Sequence, residues 1–254
     1  MTPEPVRPHP TLERYYPSED ERPAMVRELF DAGAPSYEWI CRVMSFGTGE
    51  WYRARVLRDA GLRDGSRLLD VATGTGLVLR SAQKICGPTG LAIGLDPSRG
   101  MLTQCRTSCT APLVQAFGER LPFADGSFDM ISMGYALRHV ADLQALFAEY
   151  ARVLAPGGRV VVLELTQPQS SAARWLNRLY LRSVVPRIAY LGTGRAAARR
   201  MMEYYWDTIE RCVPPETILS ALRETGFQDS RRRVTGAVLS EYLATKGPRE
   251  SFSG

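Results

Sequence analysis

The run Asp70-Val71-Ala72-Thr73-Gly74-Thr75-Gly76 ends a short apolar stretch and opens a helix-like one, and Asp96 follows twenty residues after Gly76. Two glycines one residue apart let a backbone turn tightly and approach a ligand that a Cβ would exclude. A carboxylate at the end of the next strand can accept both hydrogens of a ribose diol. Together these residues point to a nucleotide-like cofactor. The geometry is common to dinucleotides and to the adenosine of S-adenosylmethionine. A dinucleotide turn would place a third glycine where this chain has Leu79, which weighs against NAD or FAD.

A second group of reactive residues is Arg138-His139, which follows the fourth apolar run, with Tyr37 far upstream. An arginine there could stabilise a phenolate or orient a water, or it could be a surface ion pair. A histidine could take up a proton near neutral pH, or be structural. Tyr37 could hydrogen-bond a substrate or a cofactor carboxylate, or belong to the core through its helical spacing with Ile40 and Met44.

The elements that must hold these residues read as an α/β fold. Five strands are expected at 66–72, 91–96, 113–118, 128–134 and 159–165, with helices near 77–86, 98–109 and 141–154. Alternation of this kind implies a doubly wound, mainly parallel, Rossmann-like sheet that binds ligands beyond the carboxyl ends of its strands. Upstream, residues 23–60 read as two or three short helices interrupted by a turn at 45–50, and residues 1–22, rich in proline and charge, as a flexible tail. Downstream, a helix opening at Pro214-Pro215 precedes a closing strand pair. Residues 23–254 are expected to form a single domain, with 23–60 as a helical cap. The helical insertion after the fifth strand, 168–211, is too long for a connecting loop and is expected to cover the substrate.

With 254 residues, 44% hydrophobic and 23% charged, the chain can bury one substantial core. Its net charge of +5 permits anionic partners without requiring them. Basic residues are mixed with apolar ones, so no nucleic-acid partner is expected. Five cysteines without a CxxC pair read as reduced, no metal site is expected, and the chain reads as cytoplasmic. The insertion interleaves Trp175, Leu176, Leu179 and Val184 with Arg174, Arg178, Arg182 and Arg187. Such a surface could cover a prenyl tail and rest on a membrane, or it could be a core-facing helix with snorkelling arginines.

The motifs LLDVATGTG, GLDPSRGML, ERLPFADGSFDMI, ALRHV and EYARVLAPGGRVVVLEL, with YEWICRVMSFGTGEWYR upstream, occur in the order of a known family. The chain resembles class I methyltransferases that use S-adenosylmethionine, and more narrowly the ubiquinone/menaquinone biosynthesis C-methyltransferases. The resemblance spans roughly Phe30 to Thr166. It implies that Asp70, Gly74 and Gly76, with Ala72 and Thr73 in the same turn, surround the methionine part of the cofactor. It further implies that Asp96, followed by Pro97, binds the ribose, that Met101 and Phe117-Gly118-Glu119 border the adenine, and that Gly134 lies beside the sulfonium. Arg138 and Tyr37 are implied at the substrate. The chain departs from the family with Ala72 where glycine is usual, Phe117 where Asn or Asp is usual, and His139 where Asn is usual.

The expected reaction is methyl transfer to a small hydroxylated aromatic or quinol-like acceptor, at carbon. Oxygen or nitrogen of a secondary metabolite or lipid amine stays open as the acceptor atom, as do an RNA-binding methyltransferase, a homodimer and peripheral membrane contact.

Overall fold

The computed structural model describes residues 4–45, 47–168 and 170–248; Phe46 of the expected turn and residues 1–3 of the expected tail lie outside the described residues. Seven strands form one sheet in the order β3-β2-β1-β4-β5-β7-β6. They are β1 Arg67–Val71, β2 Leu91–Leu95, β3 Leu113–Val114, β4 Phe128–Gly134, β5 Leu154–Leu165, β6 Phe227–Thr235 and β7 Leu239–Lys246. The first five run parallel, and β7 is inserted antiparallel between β5 and β6. The sheet is the mixed, Rossmann-like one expected, with β3 reduced to two residues. β3 is an edge strand, and Gln115 and Phe117 beyond it are exposed, so no second face is buried there to extend the ladder.

Within β1 the side chains alternate. Leu69 and Val71 join a core built with helix α5 (Leu143–Val153) and helix α9 (Pro215–Glu224), while Leu68 packs with α2 (Gly49–Asp59) and α3 (Leu77–Cys86) on the other face. In the dinucleotide pattern the helix contributes a glycine for close approach to the sheet. Here the helix contributes Leu79, and the strand contributes Gly94, where a Cβ would stand 2.7 Å from Leu79. The same approach is reached from the opposite side.

The cap comprises two helices, α1 (Arg22–Met44) and α2, with α1 running unbroken for 23 residues through Pro35. The flexible-tail expectation fails for residues 4–21. His9, Leu12 and Tyr16 are buried, Val6 donates its N–H to Asp142 Oδ1 at 3.1 Å, and Leu143 N–H returns a bond to the Val6 carbonyl at 2.9 Å. Composition missed this because a few well-placed apolar residues suffice to pin a polar segment.

The insertion forms α6 (Ser171–Leu179), a π turn over Tyr180–Val184, α7 (Val185–Thr193) and α8 (Ala196–Glu210). α8 is core-facing, burying Met201, Met202, Tyr204, Tyr205 and Trp206, whereas α6 buries no residue. Among the described residues no helix is long and apolar enough to cross a membrane.

One ion pair joins the sheet to this insertion. Arg138, fully buried in a short turn after β4, donates from Nε to Glu164 Oε2 on β5 at 2.8 Å. Its Nη1 donates to Thr208 Oγ1 of α8 at 2.9 Å, and its Nη2 to the Tyr135 carbonyl at 3.2 Å. Burial disfavours the guanidinium charge, and Glu164, Tyr205 and Cys212 together more than offset it, so Arg138 stays ionised. Removing one member of such a pair strands the other charge. Glu164→Gln should therefore lower the unfolding free energy by about 3–5 kcal/mol in urea titrations, and a loss below about 1 kcal/mol would show that the pair does not hold this corner.

Candidate active site

The carboxyl ends of β1, β2 and β4 border a cavity roofed by α1 and partly open to solvent. Ala72 and Gly74 of the first turn line it, as do Asp96 and Pro97 after β2. Met101 of α4 (Arg99–Cys105), Phe117, Gly118 and Glu119 line its far end, and Gly134 lines it from β4. Tyr37 and His139 reach it as well. Asp70, Thr73, Gly76 and Arg138 do not line it and stand behind its wall.

The turn is built by hydrogen bonds between side chains that the sequence spaces correctly. Asp70 accepts from Thr73 Oγ1 at 2.7 Å and from Ser132 Oγ at 2.6 Å, the latter its register partner on β4. Ala72 has φ +53° and Gly74 φ +57°, so both sit in the left-handed region. The alanine bears a strain of about 1–2 kcal/mol that glycine would not. A Cβ on Gly74 would meet nothing within 4 Å, so a side chain there would stand in open space at the cavity wall.

Asp96 Oδ2 accepts the Gly74 N–H at 2.8 Å and Oδ1 the Ser98 N–H at 2.8 Å. Each oxygen keeps a second lone pair for a ligand hydroxyl. Burial raises its pKa to about 6 despite these two bonds. This buried carboxylate, in a cavity otherwise lined largely by apolar groups, suits a ribose diol with a flat base beyond it. Phe117 can only stack on such a base, where Asn would hydrogen-bond.

α1 was not foreseen as part of this wall. Pro23, Val26, Arg27 and Phe30 line the cavity at helical spacing, and Asp31 Oδ1 accepts from Ser98 Oγ at 2.6 Å and Gly100 N–H at 2.7 Å. The period of 22–30 was visible in the sequence, but not which helix face met α4.

Two placements correct the sequence reading. Arg138 is neither at a cavity nor on the surface; its donors are spent on Glu164, Thr208, Tyr135 and the Tyr205 carbonyl. His139 does reach the cavity, but both ring nitrogens are buried without a partner among the described residues, between the rings of Phe30, Tyr204 and Tyr205. Burial, then the Arg138 charge, hold its pKa well below the usual histidine range. It is neutral at physiological pH and a weak base.

A second cavity, likewise partly open to solvent, adjoins the first, with Tyr37 and Tyr135 lining both. Tyr135 has φ +62°, a strained state for an aromatic residue, fixed by its N–H bond to the Leu163 carbonyl at 2.7 Å and by Arg138 on its own carbonyl. Sequence reasoning missed Tyr135, since positive φ at a non-glycine leaves no compositional signal. Leu181, Met202 and Tyr205 of the insertion close this second cavity.

Ribose hydroxyls donate to the ionised form of Asp96, so ligand and proton compete for it. Affinity for S-adenosylhomocysteine should be full well above about pH 6 and fall as pH drops through that value, reaching roughly ten-fold loss near pH 5. Calorimetry checks this, and Asp96→Asn should bind weakly with little pH dependence; an unchanged slope in that variant would remove Asp96 from the site.

Comparison with known proteins agrees with this geometry. The ubiE/COQ5 methyltransferase family matches residues 17–246. The "Ubiquinone/menaquinone biosynthesis C-methyltransferase UbiE" of Syntrophotalea carbinolica is 35% identical over 234 residues, covering 90% of this chain and 94% of that protein. The "Demethylmenaquinone methyltransferase" of Symbiobacterium thermophilum is 35% identical over 224 residues, covering 84% and 89%. Among solved structures, a possible histamine N-methyltransferase from Thermotoga maritima superposes with a TM-score of 0.61 at 17% identity, covering 87% of this chain and 99% of that one, a likeness of fold. From turn, cavity and sequence alike, this chain is a methyltransferase that uses S-adenosylmethionine, and it belongs to the ubiE/COQ5 methyltransferase family.

Proposed function

We propose that the protein methylates a ring carbon of a quinol-like aromatic acceptor held in the second cavity, with S-adenosylmethionine in the first. The observation that carries this reading is the junction of the two cavities at Tyr37 and Tyr135. Methyl transfer needs donor and acceptor in line and dry, and two adjoining, largely apolar chambers favour this arrangement. When bound, the cofactor supplies a methyl carbon on a sulfonium; the ring carbon's electron pair takes it, a neutral thioether leaves, and the ring proton passes to water.

On this reading Asp96 holds the ribose, while Met101, Phe117, Gly118 and Glu119 hold the adenine. Glu119 is steadied by accepting the Ala141 N–H at 2.8 Å. Asp70, Thr73 and Gly76 shape the turn from behind. Arg138 is a positioning residue that sets Tyr135 at the junction. Tyr37 orients donor or acceptor; burial raises its pKa well above that of a free phenol, so it acts as a hydrogen-bonding group and not as a phenolate. The relatives' names include demethylmenaquinone, and the largely apolar lining of the second cavity suits a bicyclic ring. Incubation with methyl-labelled S-adenosylmethionine and a short-chain demethylmenaquinol should give a ring C-methyl product by mass spectrometry and NMR. Absence of transfer, or label on oxygen, would defeat the reading.

The residues 168–211 serve as the acceptor cover, and their outer face rests on a membrane that delivers a prenylated acceptor to a cytoplasmic enzyme. Supporting this, Trp175, Leu176 and Leu191 are 66%, 61% and 79% exposed, beside Arg178, Arg182 and Arg187. Aromatic and aliphatic groups bury in the headgroup region while each nearby arginine adds about 1 kcal/mol on anionic lipid. The protein should co-sediment with phosphatidylglycerol vesicles at low salt, and Trp175→Ala with Leu191→Ala should weaken this roughly ten-fold. No vesicle binding, with a doubled mass in light scattering, would assign the face to a homodimer instead.

A further inference from the structure

Among the described residues three arginines are buried to within a tenth of their surface: Arg22, Arg53 and Arg138. Two are paired with carboxylates. Arg22 donates to Glu19 at 3.2 Å, to His9 Nε2 at 2.9 Å and to the Arg138 carbonyl at 2.9 Å, and Arg138 has Glu164. Arg53, on α2 and 7% exposed, differs. Its Nε, like that of Arg22, has no hydrogen-bond partner, but unlike Arg22 and Arg138 it has no carboxylate paired with its guanidinium among the described residues. The Tyr135 ring centre lies 5.9 Å from the guanidinium carbon.

A guanidinium cannot shed its proton to escape burial, so an unpaired one is retained only where something else supplies the counter-charge. Arg53 is also the single charged residue among the described residues that line the second cavity. It stands beside Tyr135, at the passage from the cofactor cavity.

We propose that Arg53 is the oxyanion-binding residue of the second cavity, pairing with a ligand oxygen that carries negative charge where the two cavities meet. This deepens the quinol reading and rests on it for one of two sources of the oxyanion. The first is the ring oxygen of the acceptor, whose ionised form makes the ring electron-rich; a cation in contact favours that form. The second is the carboxylate of the cofactor's methionine part, reaching past Tyr135. Either gives a charge-assisted, forked pair of the kind arginine makes best. The role that the resemblance suggested for Arg138 thus falls to an arginine eighty-five residues earlier in the chain.

Three probes separate the sources by binding alone: S-adenosylhomocysteine, which bears the carboxylate; 5′-methylthioadenosine, which lacks it; and 2-hydroxy-1,4-naphthoquinone, a coloured anion at neutral pH. Arg53→Gln should lose about ten- to a hundred-fold in affinity for the naphtholate if the acceptor is the source, or for S-adenosylhomocysteine if the cofactor is. Methylthioadenosine should bind as in the wild type, and Arg53→Lys should recover part of the loss. Unchanged binding of both anions in Arg53→Gln overturns the proposal, as does an equal loss for methylthioadenosine in both variants, which marks a purely structural arginine. Failure of the wild type to methylate a demethylmenaquinol while these differences persist would defeat the quinol reading and leave the oxyanion site standing.

Discussion

The buried pair of Arg138 and Glu164 sets the geometry on which the rest depends. It lies at the carboxyl ends of β4 and β5, where the sheet hands the chain to irregular segments and backbone groups lose their ladder partners. One guanidinium there satisfies a carboxylate, two carbonyls and a hydroxyl on three separate segments. Arg22 then bonds the Arg138 carbonyl and fastens α1 to the same point. The N-terminal segment, the sheet and the insertion therefore share one charged nucleus. Its desolvation cost is offset by the carboxylates of Glu164 and Glu19 and by the carbonyls and hydroxyl that accept from the two guanidiniums.

From this point the division between the two cavities follows. Arg138 and Leu163 grip the two ends of the Tyr135 peptide unit and hold the residue at a φ it would not adopt freely. The phenol ring is thereby turned into the wall that both cavities share. Strain of this kind persists only where the surroundings over-determine it, and it is concentrated where donor and acceptor would meet. Ala72 is the second non-glycine residue lining the cofactor cavity with a left-handed backbone, and there the constraint is the tight turn that presents the Gly74 N–H to Asp96.

The acid–base character of the site is conservative. His139 is neutral through burial beside Arg138, Tyr37 and Tyr135 are phenols through burial, and the carboxylate facing the cofactor cavity at its ribose end already holds two backbone amides. Nothing in this arrangement is a strong base at neutral pH. That agrees with a displacement at a sulfonium, in which alignment and exclusion of water matter more than proton transfer.

What could be read directly from the sequence was whatever depends on local spacing. Strand and helix periods, the turn from Asp70 to Gly76 and the carboxylate at Asp96 are set by neighbours within a few residues or by one β-α-β unit, so they survive in the linear pattern. Motif order carried the family for the same reason. What the tertiary structure decided were pairings between residues far apart: Arg138 with Glu164 and Thr208, Val6 with Asp142, Asp31 with Ser98, and Tyr135 held between Leu163 and Arg138. An isolated arginine looks the same in sequence whether a carboxylate waits for it across the fold or not. Arg138 has one and is structural, Arg53 has none among the described residues and faces a cavity, and only the folded surroundings distinguish them.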